Sequence, residues 1–373
     1  MGNSGSVAIQ LEKPQFNTRE ELRGRVSFCL STPQSFVSVR LRFKGEEKTR
    51  WYERKVTHRQ VPSDDGTKMV TKTETHTVTH NQCEEVINIP FYQRSFQQLE
   101  KGTHVLDFRL ALRDSHLAGT FKHEWSSLGT CMAKLEYSVK AKVLDKHNQT
   151  LASESIPVII VQDVDDFPIE KAMHNSKEVV GCCFTDYGIV DLRMLAQKAI
   201  FQRREETAVL CEVDNSQCKA AIANIEVSFV HMCEIKGMPT PYKKVCSRQV
   251  LERIAAGETR MGPNALRFNV LIGSKEELLP STRGRLFNNF YQFRVRVLFD
   301  IFCASMFNFD TNMDCTVCHP QAQMGQDPAF NYPALDTAGK EFIFHEQVYS
   351  SLSTAPTQSY TNNSPLMSST VQY

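Results

Sequence analysis

The sequence predicts an all-β protein built from two copies of one antiparallel sandwich, on three observations. Hydrophobic residues recur with a period of two, no long helical period competes, and one short turn is spelled twice. The period is plainest in FVSVRLRF, where Val37, Val39, Leu41 and Phe43 point one way and Ser38, Arg40 and Arg42 the other. It returns in HVLDFRLAL, with Leu106, Phe108, Leu110 and Leu112 inward and Asp107 and Arg109 outward. In LEYSVKAKVLD it places Lys140 and Lys142 outside. Such alternation belongs to antiparallel sheets with one face in water. Only YQRSFQQLEKG (92–102) and IEKAMHN (169–175) are expected to hold a turn or two of helix.

The repeated turn is FNTREEL, starting at Phe16, and FQRREET, starting at Phe201: an aromatic, two variable residues, then Arg-Glu-Glu. A polar turn with charged tips lets the chain reverse into the next strand without exposing apolar surface. FVSVRLRF follows the first copy. IANIEVSF follows the second at nearly the same distance, with Ile225, Val227 and Phe229 inward and Glu226 and Ser228 outward. Later, FYQFRVRVLFD (290–300) echoes LEYSVKAKVLD (135–145). Three matching segments in one order predict two sandwiches.

The boundary falls at IPVIIVQDVDDFPIEK, where a buried strand, 156–161, gives way to Asp163, Asp165, Asp166 and Pro168. The expected organisation is a flexible N-terminus over 1–6, a first sandwich over 7–165 and a short connector over 166–176. A second sandwich follows over 177–322, then a flexible Ser/Thr-rich tail over 323–373. From about Asp336 on, the chain is too poor in apolar residues to offset its ordering entropy, which predicts a disordered tail.

Composition narrows the function. The 373 residues carry 43 basic and 42 acidic side chains, so the basic excess of a general nucleic-acid binder is missing. Twelve cysteines are spread thinly, and MGNSGSVAIQ lacks the basic and apolar regions of an export signal. The expectation is a soluble intracellular chain whose thiols meet a reducing cytosol and serve mostly as small buried hydrophobes. The best apolar run, IPVIIV, is strand length. There is no Gly-rich phosphate loop, no Gly-x-Ser-x-Gly and no His-Glu-x-x-His, so neither an enzyme nor a cofactor is expected.

Two tandem sandwiches of this size, each opening on such a turn, resemble the arrestin fold, and most of all the arrestin-domain-containing proteins, or α-arrestins. Phe16, Glu20, Leu22 and Gly24 match that family's aromatic-x-Pro-Gly-Glu-x-Val-x-Gly opening, and RLRFKGEEKTRWYE its next strand. Leu99, Gly102, His104 and Phe108 match its Leu-x-x-Gly-x-His-x-x-x-Phe signature. In the second half, VVGCCFTDYGIVDLRMLAQKAIF, VDNSQC and LPSTRGRLFNNFYQFRVRVLFD resemble its opening strand, Asn-Ser turn and late strand pair. Arg19 and Arg204 stand where the family turn has glycine, which implies a different or strained turn. The resemblance implies two tandem arrestin-like sandwich domains and a cytoplasmic adaptor. Such an adaptor binds the cytoplasmic tails of membrane receptors or transporters, links them to clathrin-adaptor or ubiquitin-ligase machinery, and associates peripherally with plasma membrane or endosomes. The family's Pro-Pro-x-Tyr ligase motif does not occur in this sequence. The alternatives are a retromer-type arrestin-fold scaffold and, from a different class, a small metal or redox protein built on CTVCH.

Four sets of residues are candidates for contact. MGNSGS fits the N-myristoylation pattern, which would place one acyl chain on Gly2 for reversible membrane binding. Tyr349 and Leu352 form a Tyr-x-x-Φ peptide of the kind bound by strand addition. Arg40, Arg42 and Lys44 open the most basic stretch, which runs on through Lys48, Arg50, Arg54, Lys55 and Arg59. They either bind acidic or phosphorylated cargo or form a solvated face with Glu46, Glu47 and Glu53 as partners. Cys315, Cys318 and His319 supply three zinc-type ligands where a structural site needs four; Cys182 and Cys183 contribute only if the fold brings them near.

Overall fold

A computed structural model describes residues 5–62, 68–112, 117–162, 172–181, 184–196, 198–202, 204–273, 278–301 and 309–318. The first half forms β1 (Gly5–Leu11), β2 (Gln15–Asn17), β3 (Glu21–Leu30), β4 (Gln34–Pro62), β5 (Met69–Leu99), β6 (Gly102–Ala111), β7 (Phe121–Ser126), β8 (Thr130–Leu144) and β9 (Thr150–Val161). The second forms β10 (Ala172–Val180), β11 (Asp186–Ala196), β12 (Ile200–Phe201), β13 (Glu206–Asp214), β14 (Ile222–Ile235) and β15 (Tyr242–Leu251). It continues with β16 (Thr259–Arg260), β17 (Leu266–Leu271), β18 (Thr282–Arg283), β19 (Phe287–Phe299) and β20 (Phe309–Val317). The only helical element among the described residues with a span of its own is one 3-10 turn, Gly262–Asn264.

The strand order repeats. The first half has one sheet β1-β3-β6 and a second β2-β9-β8-β4-β5 with β7 on β8. The second half has β11-β13-β17, extended by β10 and β16, and β12-β20-β19-β14-β15 with β18 on β19. Inward residues of each sheet pair fill one apolar cluster per half, as the period of two predicted. The fold is all-β and tandem.

The twice-spelled turn is the corner where the chain changes sheets. Phe16 and Phe201 are buried, each on a short strand running parallel to the last strand of its half, opposite Ile160 and Val317. The strand after each turn joins the other sheet. Glu20 accepts the Asn17 backbone N–H at 3.0 Å, and Glu205 accepts that of Gln202 at 2.9 Å. Lys13 pairs with Glu20 and Lys198 with Glu205, each ammonium also lying over the turn's own phenylalanine ring. The turns differ at the family's glycine position. Arg204 takes a left-handed φ of 62°, at a cost of about 1–2 kcal/mol, whereas Arg19 is not among the positive-φ residues.

Where they fall among the described residues, both expected helical turns are strand; 169–171 lie outside them. Tyr92–Leu99 continues β5 and pairs with β4, and Met173–Asn175 lies in β10 against β11. Cross-strand pairing overrides the helical preference of Gln93 and Gln97 there.

The two sandwiches meet within one compact unit, Met1–Gln323. Inward positions of β4 run Val37, Val39, Leu41, Phe43, Gly45, Glu47, Thr49 and Trp51, so a carboxylate occupies a hydrophobic slot. Glu47 is 0% exposed and accepts the backbone N–H groups of Arg285 (2.8 Å), Leu286 (2.7 Å) and Phe287 (3.0 Å), where the second sandwich enters β19. Three successive amides form an anion nest. Gly284 lets it close, because a Cβ there would stand 2.2 Å from Oε1. This corrects the expected role of Glu47 as a partner of the basic row: parity turns it to the opposite face of β4. Arg285 also reaches Glu84 (2.9 Å), Phe121 packs on Phe287 (4.9 Å), and Cys233 and Ile235 enter the first core. His123 and His231 lie ring to ring at 5.3 Å beside Tyr242. Burial, helped by nearby His231 and Lys244, pushes His123 down to about 4. Burial also lowers His231, against a hydrogen bond to Asn289.

Candidate functional site

The outer face of the β5-β4-β8-β9 sheet carries the site. Its strands alternate, so every second residue of β4 and β8 reaches solvent, and register decides which cations become neighbours. Arg40 lies opposite Lys142, and Arg42 opposite Lys140. The four form a square, with cross-strand Cβ atoms about 5 Å apart and residues along a strand about 6.7 Å apart. Gln93 and Pro90 flank it on β5, and Ser153 and Ser155 on β9. All four cations are exposed.

No carboxylate among the described residues neutralises this square. Among the described residues none of the four makes an ion pair, and the one side-chain bond is Arg40 to Asn148 Oδ1 at 3.1 Å. The nearby acids are engaged elsewhere. Glu154 accepts the Ile9 backbone N–H at 2.8 Å, and Glu136 pairs with Lys134 at 2.6 Å. Two like-charged pairs set directly opposite cost stability, so folding does not select them. An anion spanning the square would relieve that repulsion, and arginine offers a planar fork to carboxylate or phosphate oxygens.

The structure divides the basic row seen in sequence. Arg40 and Arg42 enter the square. Lys44 does not: it bonds Glu46 and lies 3.7 Å from Glu85. Hydrogen bonds from Lys44 and Lys48 hold the Glu46 carboxyl down to about 2, so this part of the row is a neutralised surface. Arg50 donates to the Thr130 carbonyl, and Arg54, Lys55 and Arg59 lie on the distant part of β4. Alternation turns Lys140 and Lys142 outward, but their place beside Arg40 and Arg42 follows only from the pairing of β4 with β8.

Cys315 is in the second core, 3% exposed, and burial raises its thiol well above its ordinary value, the reverse of what a thiolate ligand needs. Cys318 follows β20 and is half-buried. Among the described residues no three His, Cys, Asp or Glu side chains gather as a metal site. Gly2, Tyr349, Leu352, His319, Cys182 and Cys183 lie outside the described residues.

Residues 6–166, which hold this face, match the family model for the arrestin (or S-antigen) N-terminal domain. The first sandwich is an arrestin-type N-terminal domain. No curated protein matches the chain. Arrestin-family proteins generally bind receptor cargo and trafficking machinery, and the arrestin N-terminal domain here presents the cation square on its outer sheet.

Proposed function

We propose that this protein is a non-enzymatic, cytoplasmic arrestin-like adaptor. It binds acidic or phosphorylated segments in the cytoplasmic tails of membrane receptors or transporters and links them to endocytic or ubiquitin-dependent sorting. The observation that carries the reading is the unneutralised square of Arg40, Arg42, Lys140 and Lys142 on an arrestin N-terminal domain. Linkage needs no bond-making chemistry, only two surfaces engaged at once. Cargo would sit on the square, while Tyr349 and Leu352 supply a sorting peptide and Gly2 a reversible membrane contact at plasma membrane or endosome.

Proximity labelling in living cells tests this with the full chain beside Arg42→Gln/Lys140→Gln, Gly2→Ala and Tyr349→Ala variants. The expected result is labelling of membrane receptors or transporters together with clathrin or ubiquitin machinery. Cargo labelling is lost in the Arg42/Lys140 variant, and machinery or membrane labelling falls in the other two. Labelling confined to a fixed endosomal coat would favour the scaffold, and labelling of soluble proteins alone would sink the adaptor.

A further inference from the structure

β4 and β5 remain paired well past Arg50, where β8 leaves β4. Every residue from Arg54 to Gln60 and from Met69 to Thr77 is exposed, so the two strands project as a bare ribbon about 30 Å long. A two-stranded ribbon is marginal in water, and three or more strands are needed for stability. This one also sets Arg59 directly opposite Lys72 and exposes Met69 and Val70 at 61% and 49%. Among the described residues β5 pairs only with β4, so its outer edge offers open N–H and C=O groups along the ribbon.

The residues on that edge are self-complementary. Thr71, Thr73, Thr75, Thr77 and Thr79 alternate on one face, with Lys72, Glu74 and His76 on the other. We propose that the β5 edge pairs antiparallel with the same edge of a second copy of this chain, about a two-fold axis at Thr73. In that register Thr71 meets the other copy's Thr75, Lys72 meets its Glu74, Val70 its His76 and Met69 its Thr77. Thr71, Thr73 and Thr75 meet threonines on one face, and two symmetry-related Lys–Glu pairs form on the other. Lys72 and Glu74 already approach to 3.2 Å within one strand, both more than half exposed. The product is a four-stranded sheet, which removes the instability of the lone ribbon.

The other edge of the ribbon is unsuited to the same use. On β4 it carries Arg54, Lys55 and Arg59 against the single carboxylate of Glu53, and it ends at Pro62, which has no N–H to offer. One edge pairs and the other repels, so association closes at a dimer rather than a filament. This goes beyond the adaptor reading and does not depend on it; a dimer would present two cation squares at once, which raises avidity for clustered anionic partners.

Sedimentation equilibrium of the full chain over about a hundredfold range of concentration tests the proposal. The expected mass rises from the 42.5 kDa monomer toward twice that value. Lys72→Glu and Glu74→Lys should each weaken the dimer about tenfold, because each sets like charges across the axis. The combined Lys72→Glu/Glu74→Lys variant should restore it. Both residues are exposed and lie outside the two apolar cores, so all three variants should keep the wild-type circular-dichroism spectrum. A monomer at every concentration overturns the proposal. So does a dimer indifferent to the single swaps, or a double variant as weak as either single one.

Discussion

The two sandwiches carry equivalent outer faces that have been finished in opposite ways. Arg294 and Arg296 on β19 stand where Lys140 and Lys142 stand on β8, and Ser228 and Glu226 on β14 where Arg42 and Arg40 stand on β4. In the second sandwich Glu226 lies opposite Arg296, and Asp310 on β20 accepts from Arg294 (2.6 Å) and Arg296 (2.9 Å). Burial alone would raise the Asp310 carboxyl; hydrogen bonds from the two arginines outweigh it and hold the group low. In the first sandwich the place of Asp310 is taken by Ser153, and both β4 partners are cations. The fold tolerates paired basic residues on this strand and has a ready way to neutralise them. Leaving them bare on one copy therefore points to use rather than architecture.

Inward residues serve folding, and the outer face serves binding. Glu47→Ala should break stability most, since three amides, those of Leu286 and Phe287 buried, lose their acceptor. A loss of about 3 kcal/mol or more is expected in denaturant titration, with Glu47→Gln losing less. Acid should act on the same seam. His123 and His231 bind protons less readily folded than unfolded, so the stability tied to their neutral forms is complete above about pH 6.5 and is lost as pH falls toward 4. Melting temperature should decline across that window, and His123→Gln should flatten the decline.

Exchanging the two outer faces should have smaller effects. Asp310→Ser removes the neutraliser of the second face and should cost about 1 kcal/mol while giving that face a new affinity for anions. Ser153→Asp installs the same device on the first face. It should stabilise the protein by about 0.5 kcal/mol and weaken anion binding severalfold.

The parts legible in sequence were those with a local period. The strands, the repeated corner and the outward direction of Arg40, Arg42, Lys140 and Lys142 all follow from alternation. The square itself is a product of register between strands far apart in the chain, which a single sequence does not print. Glu47 was misread because it lies between Glu46 and Lys48 in a charged run. Counting parity from Val37 to Trp51 would have turned it inward, but its partners, 238–240 residues away, are visible only in the fold. Tyr92–Leu99 looks helical because Tyr92, Phe96 and Leu99 recur at helical spacing, and only the partner strand makes it β.

The central claim is that the bare square of the first sandwich, not its neutralised counterpart, binds anionic partners. The most direct measurement is titration of a fluorescent polyglutamate or phosphorylated peptide against two variants matched in charge change. Arg42→Gln/Lys140→Gln alters the first face and Arg294→Gln/Arg296→Gln the second, each at low and at physiological salt. The account predicts salt-sensitive binding by the wild-type chain, a loss of about tenfold or more in the first variant and no loss in the second. Equal binding by the first variant, or a loss confined to the second, would contradict it.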